Sequence, residues 1–326
     1  MMIRILSQDE TRECITMRQA IEVMRDLFRQ LSSGQVDTPL RTSLPTRQGH
    51  ILIMPAYLRS INALGVKVVS IFSKNVTHGL PNVTALITLL DTETGSPIAL
   101  IEGTYLTALR TGATSGVATE LLARKNAHTL AVFGAGAEAR THIDAVCCVR
   151  DIKELRIYSR TRTSAEILAK EVNQKHAALT VTISQSPTDA VKDSDIIVTA
   201  TNSATPVFKD EDLPPGVHIN AIGSFRPDVQ EIDENTVQRA KVIVDSREAV
   251  VSEAGDLIIP LKKGIITEGH IHAELGEILS GSKLGRETDD EVTLFKSVGN
   301  AAQDIAIGQA VFKAAEVNDR GTHILL

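Results

Sequence analysis

From Thr16 to Ser32 apolar residues recur at three- and four-residue spacing (Ile21, Met24, Leu27, Phe28, Leu31), which predicts a one-sided helix ending at Gly34. Apolar runs then follow at Ile51–Met54, Ala63–Phe72, Val83–Leu90 and Ile98–Glu102, punctuated by Pro and Gly, and these read as strands. With no helical pattern between them, they predict an antiparallel or mixed sheet. The stretch Tyr105 to Lys125, rich in Ala, Leu and Thr, predicts a helix. Beyond it strands and helices alternate: Thr129–Phe133, Leu155–Ser159, Leu179–Ser184, Asp195–Thr199, His218–Ile222 and Lys241–Asp245 are the strand segments. Such alternation means βαβ units and a parallel sheet covered on both faces. Asp289 to Val317 reads as one long helix or two joined ones that return to the first domain, with the Asp289-Asp290-Glu291 run as its acidic first turn. The expected domains are residues 1–120 with 300–326, an α+β unit, and residues 121–299, an α/β unit.

Composition narrows the class. The 326 residues are 43% hydrophobic and 23% charged, as in a folded globular protein, with aromatics at 3% and no Trp, so Ile, Leu, Val and Ala must form the cores. Lys and Arg number 34 against 40 for Asp and Glu, a net of −6, which offers no general footprint for nucleic acid. Three cysteines, Cys14, Cys147 and Cys148, fit neither a disulfide framework nor a zinc site. The first residues meet charged side chains at once, unlike a secretory signal. No run reaches the roughly 18 apolar residues of a membrane span. A cytoplasmic protein without a membrane partner is expected.

The strongest chemical signal is Leu130-Ala131-Val132-Phe133-Gly134-Ala135-Gly136-Ala137-Glu138-Ala139. A buried-strand run enters Gly-x-Gly-x-x-Ala at the first βα junction of the alternating series. There the first glycine permits the tight turn, the second admits a pyrophosphate to the backbone, and the small third residue lets helix and strand pack. The following helix start supplies N–H groups to phosphate. This predicts a Rossmann-type, doubly wound domain that binds a dinucleotide through Gly134, Gly136, Ala137 and Glu138. At the tip of the second strand, where NAD-binding folds place a carboxylate on the ribose, the chain has Ser159-Arg160-Thr161-Arg162. A guanidinium among hydroxyls suits a 2′-phosphate, so Ser159, Arg160 and Thr161 predict NADP(H), with NAD(H) tolerated. The strands ending at Thr199 and Ile222 lead into Ala200-Thr201-Asn202 and Gly223-Ser224-Phe225, loops expected over the nicotinamide half.

Several separate motifs resemble those of the ornithine cyclodeaminase and mu-crystallin family: Ile53-Met54-Pro55-Ala56, Gly65-Val66-Lys67, Glu102-Gly103-Thr104-Tyr105-Leu106-Thr107-Ala108-Leu109-Arg110-Thr111-Gly112-Ala113, the Gly134 loop, Ile219-Asn220-Ala221-Ile222-Gly223-Ser224 and Lys296-Ser297-Val298-Gly299. The resemblance spans nearly the whole chain. It implies an N-terminal substrate domain that pairs with its twin as a homodimer, and hydride transfer between a nicotinamide and the α-carbon of an amino or imino acid. Arg41, Lys67 and Arg110 match the family's basic substrate-site residues. Arg110 and Arg41 suit a carboxylate, and Lys67, on an apolar strand, suits a desolvated ammonium of lowered pKa that exchanges a proton. The resemblance adds Thr84, Thr111, Asn202, Thr201, Ile222, Gly223 and Ser297 as cofactor contacts.

Two departures select a branch. Cyclodeaminases and alanine dehydrogenases of the family carry Gly-x-Asp-x-Pro-Gly-Lys after the Asn-Ala strand; here Gly223-Ser224-Phe225-Arg226-Pro227-Asp228-Val229 puts Phe225 at the Asp position, with Asp228 displaced by three residues. Cyclodeaminases also place a Glu just before Met-Pro, where this chain has Leu52-Ile53-Met54-Pro55. The expected reaction is therefore reduction of cyclic ketimines, pyrroline-2-carboxylate to L-proline and piperideine-2-carboxylate to L-pipecolate, with Asp228 a candidate substrate contact. The rivals are ornithine cyclodeamination, an alanine dehydrogenase-like oxidoreductase, and a non-catalytic NADPH-binding protein. His270-Ile271-His272 lacks a third ligand at metal-site spacing and reads as structural; Cys147-Cys148 read as packing residues on the helix after the phosphate loop.

Overall fold

Ser7 and Thr16 open the first two helices. Each caps the third residue of its helix and is capped in return, by Glu10 for Gln8–Cys14 and by Gln19 for Met17–Ser32. The computed structural model describes residues 2–325, so Met1 and Leu326, the outer limits of the first expected domain, lie outside the described residues. The chain divides into two units, one formed by residues up to Arg110 and from Gly299 onward, the other by Thr111–Val298.

In the first unit the strand order is Thr322–Leu325, Met2–Leu6, Pro97–Glu102, Val83–Leu90, Ala63–Ile71, His50–Leu58 and Val36–Asp37, with Thr42–Pro45 also pairing with His50–Leu58. Met2–Leu6 runs parallel to Pro97–Glu102 and the other pairs are antiparallel, so the sheet is mixed. The alternation along its strands is strict. Met54, Lys67 and Ile87 stand side by side in register on one face and are buried; Ile53, Val68 and Leu86 stand side by side on the other and are 40%, 39% and 45% exposed. The inner face is covered by Ala301–Val317, a helix buried all round its first two turns, which packs on these strands and on Met17–Ser32.

The second unit has an all-parallel sheet in the order Thr180–Ile183, Glu154–Tyr158, Thr129–Phe133, Ile196–Thr199, His218–Ala221, Thr293–Lys296, Lys241–Val244, Ile271–Glu274. Chain direction across the sheet reverses between Thr129–Phe133 and Ile196–Thr199, which makes their carboxyl ends the switch point of a doubly wound fold. Apolar clusters fill both faces, one around Phe133, Ile219 and Leu257, the other around Leu130, Ile143 and Leu168. Among the described residues no helix is long and apolar enough to cross a membrane.

One expectation is overturned. The segment from Asp289 to Val317 is not continuous helix: Thr293–Lys296 is a central strand, and the helix begins only at Ala301. All four residues of that strand are buried, and a short run buried on both faces carries no periodicity to separate strand from helix. Nor do Asp289-Asp290-Glu291 start a helix; they form a turn, in which Glu291 accepts from the backbone of Glu287 and ion-pairs with Lys241.

Candidate active site and dinucleotide cavity

Lys67 points inward from its strand and is fully buried, where an isolated ammonium would be prohibitive. Its partner comes from the covering helix: Nζ lies 2.6 Å from Oδ2 of Asp304, itself fully buried. The other Asp304 oxygen, Oδ1, accepts from Nε of Arg110 at 3.1 Å, and Gln303 Oε1 accepts from Nη1 of Arg110 at 2.6 Å. Arg110 is presented by Gly103–Leu122, a helix whose start is held by Glu102, which accepts from the amides of Thr104 and Tyr105. One turn before Arg110, Thr107 accepts a weak bond from Lys67 at 3.5 Å. Arg41 donates to the carbonyl of Gly299 at 2.7 Å. Gly299 holds φ at +73°, and a Cβ there would fall 2.5 Å from Nη1 of Arg110, so only glycine lets both arginines close around this turn.

Lys67, Arg110 and Arg41 thus bring three positive charges to a cluster with Asp304 as its carboxylate. That balance favours a monoanion. Burial pushes the Lys67 ammonium down to about 8, with Arg110 and Arg41 adding to the effect and Asp304 opposing it. The group therefore sits near the pH at which it both holds and releases a proton. The family resemblance pointed to Lys67, Arg110 and Arg41 but not to Asp304 and Gln303; the available signal for those two was a polar pair inside an otherwise apolar helix.

The second unit contains a cavity of about 680 Å³ at the switch point. Gly134, Gly136, Ser159, Arg160, Thr161, Thr201 and Asn202 all line it. Gly134 takes φ +106°, and a Cβ there would lie 2.4 Å from the Ala200 carbonyl, which explains the first glycine of the motif. Around Gly136 nothing lies within 4 Å of an added Cβ, and this residue caps Ala137–Val149 without a side chain, leaving the helix start to a phosphate. Arg140 fixes the loop by binding the carbonyls of Ala135 and Gly136 while it forks onto Glu171. Arg160 donates to Oδ1 of Asn202 at 3.0 Å, tying the second-strand tip to the loop after Ile196–Thr199. The cavity therefore fits a dinucleotide in shape, in its helix start and in its polar lining.

Other expected residues stand elsewhere. Ala137 and Glu138 form the first turn of the helix behind the loop. Ile222 and Gly223 follow His218–Ala221, with amides on the Thr199 carbonyl. Ser297 donates to Asp245 at 2.7 Å, Thr111 is buried in its helix, and Thr84 is exposed on its strand. Asp228 is exposed and ion-paired with Arg226, and Phe225 beside it is exposed too. His270 and His272 donate from Nε2 to the carbonyls of Val237 and Leu284. Burial pushes the Cys147 thiol up to about 12, which leaves it no nucleophilic character. Lining residues beyond the motifs, Pro187, Ser203, Thr205, Pro206 and Val207, carried no sequence signal.

The fold is shared with known proteins. A Bacillus cereus Delta(1)-pyrroline-2-carboxylate reductase is 43% identical over 314 residues, 95% of this chain and 96% of its own. The structure of Thermococcus litoralis Delta(1)-pyrroline-2-carboxylate reductase in complex with NADH and L-proline superposes with a TM-score of 0.96 at 43% identity, covering 99% of this chain and 100% of that one. An archaeal alanine dehydrogenase dimer with bound NAD gives a TM-score of 0.95 at 35% identity, covering all of both chains. The model of one family matches residues 2–319, nearly the whole of the described chain. The chain belongs to the ornithine cyclodeaminase/mu-crystallin family.

Proposed function

We propose that this protein is an NAD(P)H-dependent reductase of cyclic ketimines, taking pyrroline-2-carboxylate to L-proline and piperideine-2-carboxylate to L-pipecolate. The observation that carries the reading is the buried Lys67–Asp304–Arg110 cluster. Arg110 and Arg41 bind the substrate carboxylate, for which the excess of positive charge is the recognition element. Lys67 holds a proton on the imine nitrogen, so the C=N electron pair has a destination as the carbon gains hydrogen and the ring nitrogen becomes an amine. When bound, the reduced nicotinamide supplies the hydride. Gly134, Gly136, Ser159, Arg160, Thr161, Thr201 and Asn202 hold that cofactor.

The homologous reductase of known structure binds NADH and L-proline, and this chain matches it over nearly its full length. A diamine substrate is disfavoured because Asp228 is engaged by Arg226 and Ile53, not a carboxylate, precedes Met54. The test is oxidation of NADPH and NADH by the purified protein with each imine, alongside ammonia release from L-ornithine. Imine-dependent oxidation without ammonia is expected; ammonia from ornithine at a comparable rate would replace this reading with cyclodeamination.

NADPH is the preferred cofactor in this reading, with NADH also accepted. Its support is the Ser159-Arg160-Thr161 tip on the cavity wall, which carries a guanidinium and no carboxylate. Arg160→Ala should weaken NADPH binding about tenfold or more, the worth of a charged hydrogen bond, and change NADH by much less. Equal losses for both cofactors would refute the preference.

The protein acts as a homodimer joined through the outer face of the first sheet. Ile53, Val68 and Leu86 form an apolar row across three adjacent strands there, and the related alanine dehydrogenase is a dimer. Val68→Asp should convert the dimer to monomer in light scattering after gel filtration, since a buried unpaired carboxylate costs several kcal/mol at such a contact. A variant of unchanged mass would show that the interface lies elsewhere.

A further inference from the structure

Behind the cavity, outside the groups that hold or reduce anything, lies a second set of buried charges. Glu231, Asp256 and Lys296 are all fully buried within the second unit. The Glu231 carboxylate accepts on Oε1 from the amide and the hydroxyl of Thr201, at 2.8 and 2.5 Å. On Oε2 it accepts from the amide of Ser224 at 3.0 Å and the hydroxyl of Thr199 at 3.2 Å. Thr201 belongs to the loop after Ile196–Thr199, and Ser224 to the loop after His218–Ala221. One carboxylate therefore joins two loops that leave adjacent strands.

The remaining bonds close a ring. Asp256 Oδ1 accepts from the amides of Glu231 and Ile232 at 2.6 and 2.9 Å, so the backbone behind the carboxylate is also held. Lys296 Nζ lies 2.8 Å from Oδ2 of Asp256 and donates to the Ser224 carbonyl at 2.6 Å. The loops touch back to back at Gly223, where a Cβ would meet the Thr201 carbonyl at 2.2 Å and Glu231 Oε2 at 2.4 Å. No room exists for either loop to shift without breaking a buried hydrogen bond.

Both loops lie on the far side of the switch point from Gly134 and Ser159, the side that carries the nicotinamide half in a doubly wound fold. We propose that Glu231 is a positioning residue that sets the two loops, and through Thr201 the wall of the cavity, for the nicotinamide half of the cofactor. This rests on the dinucleotide reading of that cavity. The carboxylate is required in this role, because each oxygen faces a backbone N–H that has no alternative but to donate. An amide would turn its NH2 toward one of those donors and release one loop.

The test compares two ligands in the full-length protein: NADPH, and 2′,5′-ADP, which occupies the adenosine half alone. Glu231→Gln should raise the Kd for NADPH about tenfold or more, as expected for a buried donor left unpaired, with the Kd for 2′,5′-ADP unchanged. Thr199→Val, which keeps side-chain size and does not line the cavity, removes one donor and should give the same selective loss on a smaller scale, about two- to fivefold. It decides the matter alone if the first variant does not fold. Equal losses for both ligands, or none for either, overturn the positioning role. Failure of the wild-type protein to bind either NADPH or NADH would instead defeat the dinucleotide reading itself.

Discussion

Lys67→Met is expected to lower turnover of pyrroline-2-carboxylate by about 10²–10⁴-fold, the usual contribution of a positioned proton donor, while NADPH binds as tightly as before. Methionine keeps the length and most of the volume of the side chain, so the packing between strand and helix survives. It removes the proton, and Asp304 retains Arg110 as a partner. Binding should be spared because the dinucleotide cavity is built wholly from residues of the second unit, whereas Lys67 belongs to the first. The wild-type pH profile gives an independent reading of the same group. A donor held at about 8 is protonated below that pH and loses its proton above it, so kcat/KM should fall as pH rises through about 8. In Lys67→Met that limb should vanish along with most of the rate. Turnover within threefold of wild type would remove Lys67 from the chemistry.

The parts of this design that were legible in the sequence are those that depend on local pattern. Alternating strands and helices, the Gly134 loop and the basic tip at Arg160 each follow from residues close together in the chain; the alternation emerges in the structure, and the loop and the tip line one cavity there. Lys67 and Arg110 were visible through the family resemblance, which gives meaning to a charge on an apolar strand that pattern alone would pass over as a solubilising residue. What balances that charge was not visible. Asp304 lies 194 residues from Arg110, on a segment whose first half, Thr293–Lys296, passes for helix and is a strand. Pairings over such a separation are decided by topology, and no spacing rule encodes them. Glu231 was equally hidden: in sequence it is one acidic residue among several between Asp228 and Glu234. Only the packing of the two loops against it, with Gly223 too tight for any side chain, shows why it must be a carboxylate.

Asp304→Asn should be the most informative substitution, because it alters the charge state of the proton donor without replacing that residue. Asp304 is the charge that opposes the desolvation of Lys67; removing it lowers the ammonium pKa further below about 8. At pH 7 a larger fraction of Lys67 is then neutral, with no proton to give, and kcat/KM falls. The direction with pH follows: the falling limb moves to lower pH, so the variant recovers towards wild type as the assay is taken from about pH 8 to about pH 6. Asparagine offers one acceptor oxygen where aspartate offers two, so Arg110 Nε and Lys67 Nζ compete for it, and the substrate KM should rise as the alignment of Arg110 loosens. Breaking a buried ion pair from one side costs about 3–5 kcal/mol of stability. Here the lower end applies, since Lys67 relieves the imbalance by shedding its proton whereas a permanently charged partner could not. Thermal unfolding of the variant should therefore recover part of its loss at alkaline pH, where the remaining lysine is neutral, while its activity recovers at acid pH. Those opposite trends are the mark of a lysine whose charge is costly to the fold and necessary to the reaction. A limb that stays at about 8, or moves to higher pH, would mean that Asp304 does not govern the proton on Lys67.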